Sequence, residues 1–538
     1  SWKLIPSHYI SPQAVGGEAI RFSGDRATRE SSENTSGDGD LPRSSSWSSA
    51  DLHHGAEDGN REDMLSNLPD HILLTILDRL NVRDAARTCV LSRRWQQLPA
   101  MLSQIKIDVL DFLPEGTTAC YQREIVRING AAVEATKSIM SRRDPSRNTI
   151  HLLSMKFFLR DNDTISIGHA LGQIMATHKV EIAQFAILTE AHYSRRGDDD
   201  LVYYGRNFML FFEACPGAFG GLTCLKLQDL RFGKSDICNV LLTCKQLKHL
   251  RMFNCDSGVW ATLQVEHLQL SELEIVNCSF RKVVLISLPK LTQMAFHGWI
   301  AFQDPLSVGD VPLLETVDLT NVCLSSHKMV KLSEFLGGTS VRNLRLGFES
   351  EKIWVQPEHL TRQLASVFCQ LTFVHMAEIP EGYDLSWSLF ILEAAPNLKE
   401  LYLTVWDHLC TMEMDREKRR ALSYSIRKGV RWESSASRFQ HRRLETLVIF
   451  GFESEEYMLT HVRCVMEAAV NLKNVFLYNR LACKMCRDNP PPSSFPFAET
   501  KKLLVEKIIT SGIDSAASIH FLAGKTIWAS HVAKKNFP

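Results

Sequence analysis

Two different spacings of apolar residues divide this chain. Between residues 67 and 80, Ile72, Leu73, Ile76, Leu77 and Leu80 recur three to four residues apart. This spacing predicts a helix with a wide apolar face. Pro69 suits its first position, where a missing N–H would be unpaired anyway, and Asp70 meets the positive end of the helix dipole. Asn81 can cap a second helix, from Val82 to about Val90, carrying Ala85, Ala86 and Cys89. Ser92 can cap a third, with Trp95 and Leu98 on one side and Pro99 ending it. Three short helices in about forty residues bury only a small core, so such a unit needs a neighbour or a partner.

From about residue 150 the pattern becomes Leu-x-x-Leu-x-Leu with aliphatic substitutions. Copies start at Leu222, Leu247, Leu270, Leu291, Leu314, Val341, Leu371, Leu398, Leu444 and Leu472, with weaker ones at Leu152 and Ile182. Successive starts from Leu222 step by 25, 23, 21, 23, 27, 30, 27, 46 and 28 residues. Each copy predicts a short strand whose alternate residues point inward, followed by a return segment. One copy cannot bury its own stripe, so ten in series predict a stacked α/β solenoid. The unequal steps predict insertions or helical returns of different length. Asn254, Asn277 and Asn321 fall two residues after the third apolar position, where such a side chain can bond neighbouring backbone. Cys255 and Cys278 follow two of them and read as small buried residues.

Leu68-Pro69-Asp70, Ile72, Leu73, Ile76, Leu77, Asp84-Ala85 and Arg87 through Trp95 together resemble the F-box, over about 64–105. Val90-Leu91-Ser92-Arg93-Arg94-Trp95 is closest to plant F-box proteins. The periodic body resembles leucine-rich repeats, whose period is about 20–29 residues. Arg443 through Phe452, with Glu455-Glu456 and Val470 through Val475, resembles the FBD motif that accompanies both in plants. There a strand, a helix from about Glu455 to Ala469 and another strand predict one terminal repeat with a capping role. The organisation expected is a disordered lead at 1–63, an F-box at 64–105, a leucine-rich-repeat solenoid with a curved, mainly parallel sheet at 106–440, and an FBD-like cap at 441–538.

The resemblance implies a non-catalytic substrate receptor of an SCF-type ubiquitin ligase, working in ubiquitin-dependent protein degradation. The F-box would bind the Skp-type adaptor and, through it, cullin. Leu68, Pro69, Ile72, Leu73, Ile76, Leu77, Val90, Leu91 and Trp95 are the residues expected to make or support that contact. Residues between and after the inward repeat positions would face a protein substrate: Arg251, Phe253, Glu274, His297, Asp318, Arg345, His375 and Tyr402. Two other readings are a repeat scaffold without ligase activity and a co-receptor whose capture of substrate depends on a small molecule.

Charge and cysteine content narrow this further. The 61 Lys+Arg balance 61 Asp+Glu, which argues against a generic nucleic-acid binder. No run of 18 apolar residues occurs, so no membrane span is expected. Fourteen Cys in 538 residues, with no secretory signal evident, point to reduced thiols in the cytoplasm or nucleus. The neutral total conceals unlike parts. Residues 1–63 carry 6 basic and 11 acidic residues, and 415–443 carry ten Lys/Arg against three acids. This basic insertion is a candidate landing site for an acidic or phosphorylated partner.

No catalytic, cofactor or metal site is expected. Gly524-Lys525-Thr526 lacks the glycine five residues upstream that a phosphate loop requires. Cys483-x-x-Cys486 has no second ligand pair for zinc. A lone His in a repeat, such as His297 or His375, reads as a surface residue.

Overall fold

The computed structural model of the chain describes residues 67–114, 122–144, 149–190, 197–258, 261–299, 304–321, 329–348, 353–405, 432, 439–480 and 493–523. The lead, Cys483-x-x-Cys486, Gly524-Lys525-Thr526 and 415–438 apart from Trp432 lie outside the described residues.

The first helix, α1 (Asp70–Leu77), starts one residue after Pro69, which sits extended at its N-cap. The second, α2 (Val82–Arg87), is capped reciprocally by Asn81: its Oδ1 accepts from Asp84 N at 2.8 Å and its Nδ2 donates to Asp84 Oδ2 at 2.9 Å. A 3₁₀ turn, Thr88–Val90, follows. The third helix predicted from Ser92 does not form. Residues 91–97 make only turns, and Pro99 lies inside a 3₁₀ turn, Leu98–Met101, rather than ending a helix. Arg94 is drawn elsewhere. Its guanidinium clasps Asp70 at 2.6 and 2.8 Å and donates to Leu68 O, tying this segment to the start of α1.

The strands are β1 (Gln104–Asp108), β2 (Ile150–Phe158), β3 (Val180–Leu188), β4 (Cys224–Gln228), β5 (His249–Phe253), β6 (Thr262–Glu266), β7 (Glu272–Val276), β8 (Lys282–Ser287) and β9 (Gln293–His297). They continue with β10 (Leu306–Asp310), β11 (Thr316–Thr320), β12 (Asn343–Gly347), β13 (Phe373–Ile379), β14 (Glu400–Val405), β15 (Thr446–Phe450), β16 (Asn474–Tyr478) and β17 (Ser518–Leu522). Fourteen form one open sheet in the order β1-β2-β3-β4-β5-β7-β9-β11-β12-β13-β14-β15-β16-β17, and β6, β8 and β10 form a second. Neighbours pair in parallel, as in β4 with β5 and β14 with β15. All ten Leu-x-x-Leu-x-Leu copies and both weaker ones fall on strands of the large sheet. Their inward residues, such as Leu225, Met252, Ile275, Leu319 and Leu403, are buried.

Step length tracks the kind of return. Steps of 21 and 23 residues return through β6, β8 and β10. Steps of 25 to 30 return through helices such as Asp236–Thr243, Leu332–Phe335, Arg362–Phe368 and Glu456–Ala468. A helical turn rises only about 1.5 Å per residue against about 3.3 Å in a strand, so a helix consumes more chain for the same return distance.

The corner after the strands explains the asparagines differently from expectation. Asn254 and Asn277 lie in the left-handed region (φ 49° and 52°), and Asp229, Glu378, Gly298 and Gly451 do likewise at equivalent places. Asn tolerates this conformation better than most residues. The Asn254 side chain donates to the Asp229 carboxylate at 2.6 Å rather than to backbone. Cys255 and Cys278 are buried beside one another, with Cys255 N donating to Cys278 Sγ at 3.3 Å, and burial pushes the Cys255 thiol well up.

The helix Asp198–Ala214 is pressed against the corner after β4. A Cβ built on Gly205 would stand 1.8 Å from the Arg231 carbonyl oxygen. Arg231 itself bridges Asp256, at 2.6 and 2.8 Å, and Asp198 at 3.2 Å. Gly205→Ala must therefore push the helix away from the repeat. A loss of about 1–3 kcal/mol is expected, read as a lower chemical-denaturation midpoint with unchanged slope.

Candidate protein-interaction surfaces

The two apolar lines of α1 separate cleanly. Leu73 and Leu77 turn inward and pack with Ala85, Trp95, Leu98 and Leu102, with Leu68 partly buried against them. Burying each leucine fully contributes about 1.5–3 kcal/mol. Ile72, Ile76 and Leu80, one helical line away, stay 38–40% exposed, and Val90 and Leu91 are 87% and 60% exposed. Pro69 is exposed beside them. Leu73, Leu77 and Trp95 thus build the unit, whereas Pro69, Ile72, Ile76, Val90 and Leu91 are its exposed apolar residues.

This unit is joined to the sheet without a spacer. Leu102 belongs to its core and β1 begins at Gln104. Arg143, almost fully buried, donates to the carbonyls of Ala100 and Leu102 at 3.0 and 2.6 Å. Arg83 donates to Asp111 O and Leu113 O, and Val82 packs into the main core. The exposed apolar surface is consequently held in a fixed relation to the first strands.

The strand register brings the second set of expected residues together. Arg251, Glu274, Ala295, Asp318, Arg345, His375 and Tyr402 occupy one row across β5, β7, β9, β11, β12, β13 and β14. The same row continues through Val448, Phe476 and His520. Phe253 and His297 lie in the next row on the same face, with Val276 between them and Thr320 beyond.

Within this face the charges are partnered. Arg251 meets Glu274 at 3.1 Å. Asp318, 4% exposed at its side chain, takes Arg345 at 2.9 Å and His297 at 3.0 Å. Burial pushes the Asp318 carboxyl up, but Arg345 and His297 outweigh it and hold the group well below the usual carboxylate range. His375 is not a surface residue: it is buried, its Nε2 lies 2.9 Å from Thr404 Oγ1, and desolvation lowers its pKa to about 3. Tyr402 is buried too. Arg251, Phe253, Glu274, His297 and Arg345 are half-buried.

An apolar cluster that repeat spacing did not reveal lies at the other end of the face. Phe373, Tyr402, Val448, Phe450 and Tyr478 are buried together, with Phe476 and Leu522 against them. Phe450 stacks on Tyr478 with centroids 4.9 Å apart, and Phe476 on His520 at 4.8 Å. The signal was present in the runs Leu447-Val448-Ile449-Phe450 and Val475-Phe476-Leu477-Tyr478, which are continuously apolar instead of alternating. Such runs mark strands buried on both faces. No group of three metal-ligating side chains occurs among the described residues, nor any helix long and apolar enough to cross a membrane.

The helical unit, its apolar surface and the parallel repeat array define an F-box protein with a leucine-rich-repeat body. Comparison with known families agrees. The F-box domain model matches residues 65–103, and the model described as "At1g61320/AtMIF1, LRR domain" matches 212–508, a little over half of the chain. The chain belongs to the plant F-box/LRR-repeat proteins and has their FBD-type region. Among its Arabidopsis thaliana relatives, F-box/LRR-repeat protein At3g26922 is 24% identical over 299 residues, covering 54% of this chain and 90% of that protein. F-box/FBD/LRR-repeat protein At3g52680 is 22% identical over 374 residues, 64% of this chain and 71% of that protein. A shorter stretch of 58 residues, 11% of this chain and 12% of the relative, is 43% identical to F-box/FBD/LRR-repeat protein At5g53840.

Proposed function

We propose that this chain is the substrate-recognition subunit of an SCF-type ubiquitin ligase. The uncovered apolar surface over a closed helical core carries this reading: Pro69, Ile72, Ile76, Val90 and Leu91 are available to a Skp-type adaptor, and the adaptor would bring cullin. The repeat body would hold a protein substrate, with the half-buried Arg251, Phe253, Glu274, His297 and Arg345 as the reachable part of the charged face. Residues 64–105 would then serve the ligase, 106–440 and 441–538 the substrate. The chain itself does no chemistry in this reading. It raises the effective concentration of a substrate lysine beside the ubiquitin-loaded enzyme, in the cytoplasm or nucleus. The direct join of the F-box to β1 supports it, because a fixed orientation keeps the bound substrate at one place relative to the adaptor.

The test is affinity purification of the tagged chain from plant cells with and without proteasome inhibition. The Skp-type adaptor and cullin should be recovered in both, and at least one further protein should be enriched by the inhibitor. Recovery of neither adaptor nor cullin would overturn the proposal.

A further inference from the structure

A concavity of about 670 Å³ opens at the edge of the sheet where β14, β15 and β16 begin. Four cationic side chains line it, those of Lys399, Arg442, Arg443 and Lys473, against one carboxylate, Glu445. Their placement follows from the strand register. Lys399, Glu445 and Lys473 each precede the first residue of their strand, and the backbone bonds Glu445 N to Lys399 O and Lys473 N to Glu445 O, both 2.9 Å, set them side by side. Adjacent strands stand about 4.8 Å apart, so the two lysines flank the glutamate. Lys473 takes that carboxylate at 2.9 Å. Among the described residues, Lys399, Arg442 and Arg443 have no side-chain ion pair, and all three are exposed.

The arginine corner is built rather than loose. His441 is 2% exposed, and its Nε2 donates to Ala395 O at 2.9 Å. Its Nδ1 accepts from Leu444 N at 2.9 Å and Arg443 N at 3.3 Å. Asn471 Nδ2 donates to Arg442 O at 2.8 Å. Two guanidinium groups are thereby carried on a backbone fixed from both sides, at the very end of the basic stretch 415–443. Guanidinium donors match the oxygens of a phosphoryl group in pairs, and a phosphate of nearly two negative charges meets the local excess of cations.

We propose that this corner, formed by Lys399, Arg442, Arg443 and Lys473, is a docking site for a phosphorylated segment of a protein. With no net positive charge on the chain as a whole, this local cation excess suits a short modified segment better than an extended polyanion. The proposal rests on the reading that the repeat body receives a protein substrate, and it makes phosphorylation the event that admits the substrate to this edge.

The experiment measures fluorescence anisotropy of the full chain with a labelled peptide pool, one central phosphoserine between randomised flanks, and with the same pool unphosphorylated. The phosphorylated pool should bind at least about tenfold tighter, weakening as salt rises. Lys399→Glu with Arg443→Glu should remove the preference, whereas Glu445→Gln should strengthen binding about two- to threefold. Both variants alter exposed or half-exposed side chains, and their melting temperatures should stay at the wild-type value. Equal binding of the two pools, binding of neither, or an unchanged preference in the double variant overturns the proposal. Preference for anionic lipid vesicles over the phosphorylated pool overturns it equally. Adaptor capture on the same samples separates the two readings: phosphopeptide binding without adaptor capture leaves the docking site standing and removes the ligase role.

Discussion

Ile72→Asp together with Ile76→Asp is expected to abolish capture of a Skp-type adaptor while leaving the fold intact. Both side chains lie on the exposed line of α1, at 39% and 38% exposure, and neither belongs to the closed cluster of Leu73, Leu77, Ala85, Trp95, Leu98 and Leu102. Placing two carboxylates in a contact that must be dehydrated forfeits the apolar burial and adds unpaired charge. A loss of about 3 kcal/mol or more, roughly a hundredfold in affinity, should be seen by calorimetric titration with the purified adaptor. The inward line must behave in the opposite sense. Trp95→Ala opens a cavity in a core of only a few residues and should destabilise the unit by about 3–5 kcal/mol, so that its adaptor binding disappears through unfolding. The pair of variants separates contact from support: adaptor affinity preserved in the double aspartate variant would remove α1 from the interface.

Mild acid is expected to destabilise the repeat body well before its carboxylates titrate. His267, His375, His441 and His461 are buried, and desolvation lowers the pKa of each, to about 3 for His375 and about 4 for His461. Near Arg345 the positive field lowers His375 further, and for His267 and His441 a backbone carbonyl acceptor opposes the effect only in part. In the unfolded chain these groups titrate near 6.5. Between that value and their folded values the unfolded state holds more protons, so stability rises with pH and falls as pH drops. The loss should begin near pH 6.5 and deepen toward pH 4. Asp318 has the same sign of dependence in a lower window: its contribution is present above the unfolded carboxylate value of about 3.9 and fades only below it, so it does not shape this one. From His375 and His461 together the loss between pH 7.5 and 4.5 should be on the order of 3–5 kcal/mol. Thermal melts at those two values measure it. His375→Gln, which can still bond Thr404, should make the melting temperature less dependent on pH; an unchanged slope would show that His375 does not carry the effect.

The charged row across the sheet also changes what a substrate contact there would have to accomplish. Asp318 already satisfies Arg345 and His297, and Arg251 is committed to Glu274. A partner would exchange existing pairs for new ones, with little net gain from charge alone. The cationic edge differs, because Lys399, Arg442 and Arg443 make no such pairs among the described residues. On this ground the edge is the stronger place for electrostatic recognition.

Much of this architecture was legible in the chain itself, because a buried strand advertises itself by period. The ten repeat copies follow from spacing and the Asn81 cap from cap chemistry, whereas the helix Glu456–Ala468 came with the FBD resemblance. Strands β1 and β17 were not legible, since Gln104-Ile105-Lys106-Ile107 and Ser518-Ile519-His520-Phe521 lack the leading aliphatic that defines a copy. Step length held the strand or helix choice for each return, although only the structure shows where the boundary between them falls.

What the sequence by itself determined is periodicity: which repeat residues turn inward, twelve of the strands that stack, and the first two helices of the chain. Only the tertiary structure decided which of two adjacent lines on α1 is core and which is left exposed, because a helical face of five apolar residues is wider than a single neighbour can cover. It alone decided that Asp318, His375 and Tyr402 are buried within a face where period-two alternation marks them merely as outward from the repeat core. And it alone gathered Lys399, Arg443 and Lys473, 74 residues apart at the extremes, because parallel register places the start of each strand beside the next.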